Sequence, residues 1–359
     1  MKFIHIADVH LGATPDLGFP WSEQREKEIW DSLSRVIEQV KKEKIELLLV
    51  AGDLFHGQPL MRECRELNFL LEQIPDTAVV LVAGNHDHIK KDSAYLKFPW
   101  AKNVIGLWGE KCQSCYIEKC NTYVYGLSYH SREITTPIYN QTFPQESVNL
   151  RTERPDAHHI LVAHGGDEKH IPIRLGSLAN TDFDYIALGH IHQPQILVSN
   201  KMAYAGSLEP IDKNHLGARG YIRGEIANGK TRMEFVPFSV REYRELKVEV
   251  TPESSNRQVE AVVGKMIRKQ GSHHIYRVEL IGYRDPELEI WQENLMKLGN
   301  VVEVVDHTEP EYDFDRLRQQ YAGTAVAAYI DSFYSQGQLT EVEKKALYQG
   351  VWALLKAGE

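Results

Sequence analysis

The chain has 359 residues, with 41 Lys and Arg against 50 Asp and Glu, and its formal net charge is −9. This acidic balance argues against a protein that coats nucleic acid through bulk charge, but it leaves room for a local basic groove or a metal that attracts phosphate. Hydrophobic residues make up 42% and charged residues 25%, which is typical of a globular protein and not of a disordered or membrane-spanning chain.

Residues 1–235 alternate short apolar strands with amphipathic helices. The predicted strands cover 2–7, 46–51, 78–83, 122–127, 159–163, 185–188 and 196–204, and the predicted helices cover 22–44 and 60–74. This alternation predicts an α/β layered sheet. The N-terminal segment reads as a strand and not as a signal peptide, so we expect a cytoplasmic protein.

The remaining residues follow a different pattern and contain only three of the 16 His. Strands are predicted over 243–250, 275–281 and 300–305, with helices over 256–269, 286–298, 314–335 and 340–356. We therefore predict three parts, a chemical domain over 1–235, a small α+β domain over 236–305, and an acidic linker with a helical pair over 306–359. The apolar faces of the last two helices are equally consistent with a docking surface and with packing on the chain's own body.

Polar side chains of metal-binding type follow five of the predicted strands. They are Asp8 and His10, Asp53 with His56, Asn85 with His86 and Asp87, His164, and His190 with His192. Each motif alone could be a capped turn or a core His, but all five follow an apolar strand, at the sheet edge where ligands bind. Imidazole and carboxylate suit Mn, Fe or Zn, and two such ions bridged by a carboxylate clamp a phosphoryl group and activate water.

Five motifs of the chain resemble those of the calcineurin-like metallophosphoesterase superfamily: IADVHLG, AGDLFH, VAGNHD, LVAHGG and ALGHIH. The resemblance covers residues 1–192 and is closest to the SbcD-like branch, DNA repair exonucleases of the YhaO type. It implies a layered sandwich of two sheets flanked by helices, with a small α+β capping domain at 236–305 and C-terminal helices. The segment YAGSLEP at 204–210 resembles the strand and turn that close the phosphoesterase domain in that branch.

The resemblance also implies a role for each motif residue. The first ion would be bound by Asp8, His10 and His192, the second by Asn85, His164 and His190, and Asp53 would bridge the two. His86 would be the general acid that protonates the leaving oxygen, and Asp87 would orient it by a hydrogen bond. His56 would contact phosphate, although it could also be a loop His without a role. Manganese is the ion that the resemblance implies, and the ligands would also accept iron or zinc.

The substrate is less constrained than the metal site. Protein phosphatases of the superfamily usually carry an Arg after the bridging Asp motif and a Glu after Gly-Asn-His, whereas this chain has His56 and Asp87. This difference favours the nuclease branch, and the resemblance to that branch implies a DNA exonuclease or endonuclease of repair or recombination with an SbcC-like coiled-coil ATPase as partner. The resemblance also implies a homodimer contact, for which residues 60–74 are a candidate. The alternatives are a phosphodiesterase that acts on a small nucleotide and a subunit that serves mainly for docking. The cations considered for DNA contact are Lys90, Lys91, Arg132, Lys213, Arg219 and Arg223.

The four cysteines do not form a recognisable site. Cys112 and Cys115 make a Cys-x-x-Cys pair with Cys120 nearby, but a structural zinc site needs four ligands and only a distant His130 could supply the fourth. We expect reduced thiols without a role in a hairpin over 108–125.

Overall fold

A computed structural model of the chain describes residues 1–141, 154–334 and 339–358. The chain divides into two compact units, Met1–Glu242 and Tyr243–Glu359. Among the described residues, no helix combines the length and the apolar character that a membrane crossing requires.

The described part of the first unit contains twelve strands and five α-helices. The strands are β1 (Lys2–Ile6), β2 (Leu47–Ala51), β3 (Ala78–Val82), β4 (Val104–Gly106), β5 (Gln113–Ile117), β6 (Thr122–Gly126), β7 (His158–His164), β8 (Tyr185–Gly189), β9 (Gln195–Val198), β10 (Met202–Tyr204), β11 (Gly220–Ala227) and β12 (Lys230–Pro237). The helices are α1 (Ser22–Glu43), α2 (Met61–Leu71), α3 (Ala94–Lys97), α4 (Ile138–Gln141) and α5 (Leu175–Ala179).

These strands form two six-stranded mixed sheets. One sheet has the order β12-β11-β1-β2-β3-β4, and the other has the order β5-β6-β7-β8-β10-β9. The strands β1 to β4 run parallel to one another, as do β6, β7, β8 and β10. The antiparallel strands lie at the outer positions of both sheets. The carboxyl ends of the central strands therefore point the same way within each sheet, and ligands bind at such an edge.

The two sheets pack face to face. Residues of the first sheet such as Leu49 and Val82 share one buried cluster with Val124 and Val162 of the second sheet. The opposite face of the first sheet packs against α1 and α2, and the opposite face of the second sheet packs against residues that include Leu178 of α5. Burying one such aliphatic side chain contributes about 1.5–3 kcal/mol. The predicted α/β sandwich of two sheets flanked by helices is confirmed.

The second unit is built around a small parallel sheet. Its elements are β13 (Tyr243–Val250), α6 (Asn256–Gln270), β14 (Ile275–Arg284), α7 (Gln292–Leu295), β15 (Val301–Asp306), β16 (Glu309–Pro310), α8 (Phe314–Gln320), α9 (Ala325–Tyr334) and α10 (Glu341–Ala357). The sheet order is β13-β14-β15, and β16 pairs with β14. Val259, Val263 and Ile267 of α6 pack in the core of this sheet. A separate cluster joins α9 and α10 through Ile330, Val351 and their neighbours.

Three predicted elements are interrupted in the structure. The strand predicted over 196–204 is two strands, β9 and β10, separated by a turn at Asn200, whose φ is +57°. The helix predicted over 286–298 is reduced to the single turn of α7. The helix predicted over 314–335 is broken into α8 and α9 at residues 321–324, where Gly323 has a φ of +81°. Ser335 lies outside the described residues.

Candidate metal centre

The seven predicted metal ligands converge at the carboxyl ends of five strands. Each follows or ends its strand: Asp8 and His10 after β1, Asp53 after β2, Asn85 after β3, His164 at the end of β7, and His190 and His192 after β8. Their potential ligand atoms form two groups, Asp8 with His10 and His192, and Asp53 with His164 and His190, and within each group these atoms lie within 4.8 Å of one another. The first sheet therefore supplies Asp8, His10, Asp53 and Asn85, and the second supplies the other three.

The backbone around these residues is tightly constrained. The N–H of Asp8 donates to the carbonyl oxygen of Gly52 at 3.1 Å, and the N–H of His10 donates to that of Asp53 at 3.0 Å. Asp8, His10 and Asp53 have φ values of 49°, 53° and 47°, which residues with a Cβ rarely adopt and which cost on the order of 1–3 kcal/mol each. A Cβ on Gly84 would lie 2.2 Å from Oδ1 of Asp53, so the Asn85 loop approaches Asp53 only because residue 84 is a glycine.

Asp53 lies between the two groups. Its Oδ2 atom is 3.4 Å from Nε2 of His164 and 4.0 Å from Nε2 of His10. Its Oδ1 atom accepts a hydrogen bond of 2.8 Å from the N–H of His86. The side chain is 1% exposed. One carboxylate oxygen thus faces both groups while the other holds the carboxylate in place, which is a suitable geometry for a bridging ligand.

The group around Asn85 offers three converging acceptor atoms. Oδ1 of Asn85 lies 2.9 Å from Nε2 of His164 and 3.2 Å from Nδ1 of His190. Nδ1 of His164 donates to the carbonyl oxygen of Ala51 at 2.9 Å, so Nε2 is the nitrogen free to bind an ion. Nε2 of His190 lies 2.8 Å from Oδ2 of Asp167, so Nδ1 is the nitrogen of this ring that is free to bind an ion. Spacings near 3 Å fit ligand atoms that surround one cation at bonds of about 2.1 Å.

The group around Asp8 is organised in the same way. Nε2 of His10 lies 3.0 Å from Nε2 of His192, which is 3.9 Å from Oδ1 of Asp8. The N–H of His190 donates to both oxygens of Asp8 at 3.0 Å, so the His190 backbone fixes the orientation of this carboxylate. Asp8 and His10 are fully buried.

The buried carboxylates perturb one another and His164. Burial raises the pKa of Asp8 to about 8, against the opposing positive charge of His164. Burial also acts to raise the pKa of Asp53, but the charge and hydrogen bond of His164 outweigh it, and this pKa lies below its ordinary value. Burial acts to lower the pKa of His164, whereas the adjacent Asp53 raises it to about 9. A cation at this position would take the place of the His164 proton.

The other three imidazoles are in the neutral form that binds metal ions. Burial lowers the pKa of His10 well below its ordinary value. Burial, helped by the charge of His164, lowers the pKa of His190 to about 4. Burial, helped by His215, lowers the pKa of His192 to about 3. At neutral pH each of these rings therefore has a lone pair available for a cation.

His86 and His56 flank this centre. Nδ1 of His86 donates to the carbonyl oxygen of His56 at 3.1 Å, and the His86 ring centroid is 4.9 Å from that of His10. Nδ1 of His56 lies 3.3 Å from Nδ1 of His10. Both residues therefore adjoin the Asp8 group. The contacts of His56 with His10 and His86 were not predicted from the sequence.

Asp87 has a different role from the one expected. Its Oδ1 accepts from the N–H of Gly84 at 2.7 Å, and its Oδ2 accepts from the N–H of Phe55 at 3.1 Å and from Oη of Tyr95 at 2.6 Å. The predicted hydrogen bond to His86 is not among the contacts of Asp87 in the described residues. Because Asp87 is fully buried, its carboxylate ties together the loops after β2 and β3, and the His56 carbonyl orients His86 in its place.

Two site residues were not predicted from the sequence, Asp167 and His170. Oδ2 of Asp167 accepts a hydrogen bond from Nε2 of His190. Nδ1 of His170 lies 2.8 Å from Oδ1 of Asp167. The signal that could have revealed Asp167 is its position directly after His164-Gly165-Gly166, because two glycines allow the chain to turn back on a ligand.

Comparisons with known proteins place the chain among metallophosphoesterases. The chain is 26% identical over 306 residues to YhaO of Bacillus subtilis, an uncharacterised metallophosphoesterase, covering 79% of this chain and 72% of that protein. It is 30% identical to the DNA double-strand break repair protein Mre11 of Methanocaldococcus jannaschii, and the match covers 60% of this chain and 58% of that protein. It is also 30% identical to the Mre11 protein of Archaeoglobus fulgidus, and this match covers 69% of this chain and 62% of that protein. The chain thus spans less than two thirds of either Mre11 protein. The family model for calcineurin-like phosphoesterases matches residues 1–194, and the chain belongs to this family.

Proposed function

We propose that the chain hydrolyses DNA phosphodiester bonds through a dinuclear metal centre. The family is one of metal-dependent hydrolases that act on phosphoester bonds, and it uses a dinuclear centre. The proposed ligands are Asp8, His10 and His192 for one ion, Asn85, His164 and His190 for the other, and Asp53 for both. The observation that carries this assignment is the position of Asp53 Oδ2, which faces His10 and His164 at once.

Manganese is the proposed ion, and the donor set would also take iron or zinc. When bound, the two ions would supply an activated water and stabilise the charge that develops on phosphorus. The chain's own part is to hold the ligands in fixed tautomers and to bring His86 next to the leaving oxygen. His86 would donate the proton that this oxygen needs, and His56 would lie against the phosphate.

The choice of DNA as substrate is supported by the relatives. Two of them are named as DNA double-strand break repair proteins, and we extend that role in repair or recombination to this chain. Lys90, Lys91 and Arg132 are exposed and are the proposed contacts for phosphate. Arg219 is unsuited to this purpose, because it is fully buried and donates to the carbonyl oxygens of Leu216 and Ala218.

Arg223 is also committed within the chain. It pairs with Glu43 at 2.9 Å and with Glu234 at 2.5 Å. Because the chain carries a formal net charge of −9, we propose that it binds DNA weakly alone and that a partner would supply part of the affinity.

An SbcC-like coiled-coil ATPase is the proposed partner, docked on the C-terminal helices. The helices α9 and α10 bury Ile330, Leu347 and Val351 in their own cluster, while Val342 is 78% and Trp352 45% exposed. These two side chains are the apolar surface that we assign to docking. A homodimer contact through α2 is proposed on the same grounds, since Phe69 is 65% exposed.

The test is Mn²⁺-dependent hydrolysis of a linear DNA duplex and of bis-p-nitrophenyl phosphate, with wild type beside Asp53→Ala. We expect cleavage of both substrates by the wild type and of neither by the variant. Cleavage of the small diester without cleavage of DNA would favour the alternative, a phosphodiesterase for a small nucleotide, unless the added ATPase partner restored DNA cleavage. Equal activity of Asp53→Ala would contradict the metal assignment.

A further inference from the structure

We infer that Asp167 is a positioning residue of the metal centre, which holds His190 in the tautomer that binds the second ion through Nδ1. This inference rests on the ligand set proposed above. Asp167 would not touch the ion or the substrate, and its effect would pass through His190 alone. His170 would act one step further out by fixing Asp167.

The distances support this arrangement. Oδ2 of Asp167 lies 2.8 Å from Nε2 of His190, and Nδ1 of the same ring lies 3.2 Å from Oδ1 of Asn85. An ionised carboxylate only accepts hydrogen bonds, so Nε2 must carry the proton and Nδ1 must present its lone pair. Asn85 Oδ1 is in turn 2.9 Å from Nε2 of His164. The lone pair of His190 Nδ1 therefore points at the same small region as the other two proposed ligand atoms, Asn85 Oδ1 and His164 Nε2.

The Asp167 carboxylate is itself immobilised by several donors. Its Oδ1 accepts from the N–H of Lys169 at 2.8 Å and from the N–H of His170 at 2.9 Å. Nδ1 of His170 lies 2.8 Å from Oδ1 and 2.9 Å from Oδ2. The carboxylate thus keeps its position without His190, and it can impose that position on the ring.

The backbone brings Asp167 back from the end of β7 to the loop after β8. The N–H of Gly165 donates to the carbonyl oxygen of Gly189 at 3.1 Å, and the N–H of Gly166 donates to that of His170 at 2.8 Å. Gly166 has a φ of +140°, and a Cβ there would lie 2.1 Å from Oη of Tyr204. Only glycine allows this path, and the path puts the next residue, Asp167, beside His190.

A role in stability alone would not explain so many contacts. Asp167 is 47% exposed, and half-exposed ion pairs contribute about 0–1 kcal/mol to folding. A partner that fixes the tautomer of a metal-binding His has a larger effect on the metal, since its loss typically lowers metal affinity about 10–100-fold. The two roles can therefore be separated by measuring metal binding and folding on the same variants.

The experiment is a titration of the metal-free full chain with Mn²⁺. Calorimetry measures the number and affinity of bound ions, and electron paramagnetic resonance detects the signal of spin-coupled Mn²⁺ pairs. The variants are Asp167→Ala, Asp167→Asn and His170→Ala. The matched control is Glu168→Gln. Glu168 is the exposed neighbour of Asp167, and this substitution removes one negative charge, as the Asp167 variants do. Thermal unfolding of each metal-free variant reports whether the fold is retained.

We expect the wild type and Glu168→Gln to bind two ions and to give the coupled signal. Asp167→Ala should keep one ion at wild-type affinity and bind the other about 10–100-fold more weakly, with Asp167→Asn and His170→Ala less affected. Two ions bound by Asp167→Ala with unchanged affinities would overturn the inference while leaving the proposed function intact. A third ion in the wild type, lost in Asp167→Ala, would overturn it too, because Asp167 would then be a ligand. A wild-type chain that bound no second ion would refute the ligand set and this inference together, whether or not it cleaved DNA.

Discussion

Nδ1 of His86 lies 3.1 Å from the carbonyl oxygen of His56. Since a carbonyl oxygen only accepts, this contact fixes the proton on Nδ1 and leaves Nε2 as the nitrogen that can exchange a proton with a substrate. The two residues come from the loops after β3 and β2, which Asp87 holds together through Gly84 and Phe55. The proposed general acid is therefore oriented by the backbone of the adjacent loop.

This orientation leads to a prediction about leaving groups. His86→Ala should bind both ions as the wild type does, but it should cleave DNA about 10²–10⁴-fold more slowly, because the leaving sugar oxygen needs a proton. Cleavage of bis-p-nitrophenyl phosphate should fall at most about tenfold, since p-nitrophenolate leaves without one. Steady-state rates on both substrates, with bound metal measured in the same samples, test this.

His158→Ala is the matched control for that variant, because His158 lies at the amino end of β7, the opposite end from His164. It should leave both rates unchanged. An equal loss on both substrates by His86→Ala would mean that His86 acts on phosphate binding or on the metals and not as the acid.

A second prediction concerns a buried ion network that joins α1 to residues 209–210. Nη1 of Arg25 lies 3.3 Å from Oε2 of Glu209, and Oγ of Ser32 donates to Oε1 of Glu209 at 2.6 Å. Arg25 and Glu209 are both fully buried. Glu209→Ala should lower the free energy of unfolding by about 3–5 kcal/mol, because it leaves the charge of Arg25 buried with one partner fewer.

Urea denaturation of the wild type, the two single variants and Arg25→Ala/Glu209→Ala tests this. We expect the double variant to lose less than the sum of the single losses, since the second change removes the buried charge that has lost a partner. Glu23→Ala, on the exposed face of the same helix, should change the unfolding free energy little. Additive losses would show that the two residues are not coupled.

A third prediction concerns acid stability. Burial lowers the pKa of His5 to about 3, whereas the pKa of an unfolded His is about 6.5. Between these values the unfolded state binds the proton and the folded state does not, so the contribution of His5 is intact above pH 6.5. It is lost by about 1.4 kcal/mol per pH unit as the pH falls toward 3.

His5→Asn should reduce this pH dependence, because the Asn amide does not titrate. Asn can also keep the hydrogen bond that Nδ1 of His5 makes with Oη of Tyr185 at 2.9 Å. The free energy of unfolding of wild type and variant, measured from pH 7 to pH 4, should converge as the pH falls. The same substitution at His307, which is 55% exposed, is the surface control. A constant difference between wild type and His5→Asn across this range would contradict the prediction.

The sequence predicted the layered fold because short apolar runs such as Leu47–Ala51, which are typical of buried strands in parallel sheets, alternate with amphipathic helices. It predicted less well where a local turn interrupts an apolar pattern. The residues after Tyr321 continue the helical spacing, yet Gly323 adopts a φ of +81° and the helix ends. Such breaks depend on tertiary packing, which periodicity does not report.

The site was predictable to the extent that strand ends mark it. Asp8, Asp53 and His164 follow apolar strands, and the structure brings their side chains together, while their roles as ligands stay predictions. The partners of Asp87 and the position of Asp167 were not predictable, because both depend on how loops from different strands approach one another. Phe55 and His190, their respective partners from other strand ends, are 32 and 23 residues away in the chain.

The measurement that tests the central claim most directly is the anomalous scattering of Mn²⁺ in crystals of the wild-type chain. The account predicts two peaks about 3.5–4 Å apart, one beside Asp8, His10 and His192 and one beside Asn85, His164 and His190, with Asp53 in contact with both. A single peak, or peaks that leave Asp53 without a metal contact, would contradict the dinuclear centre proposed for this chain.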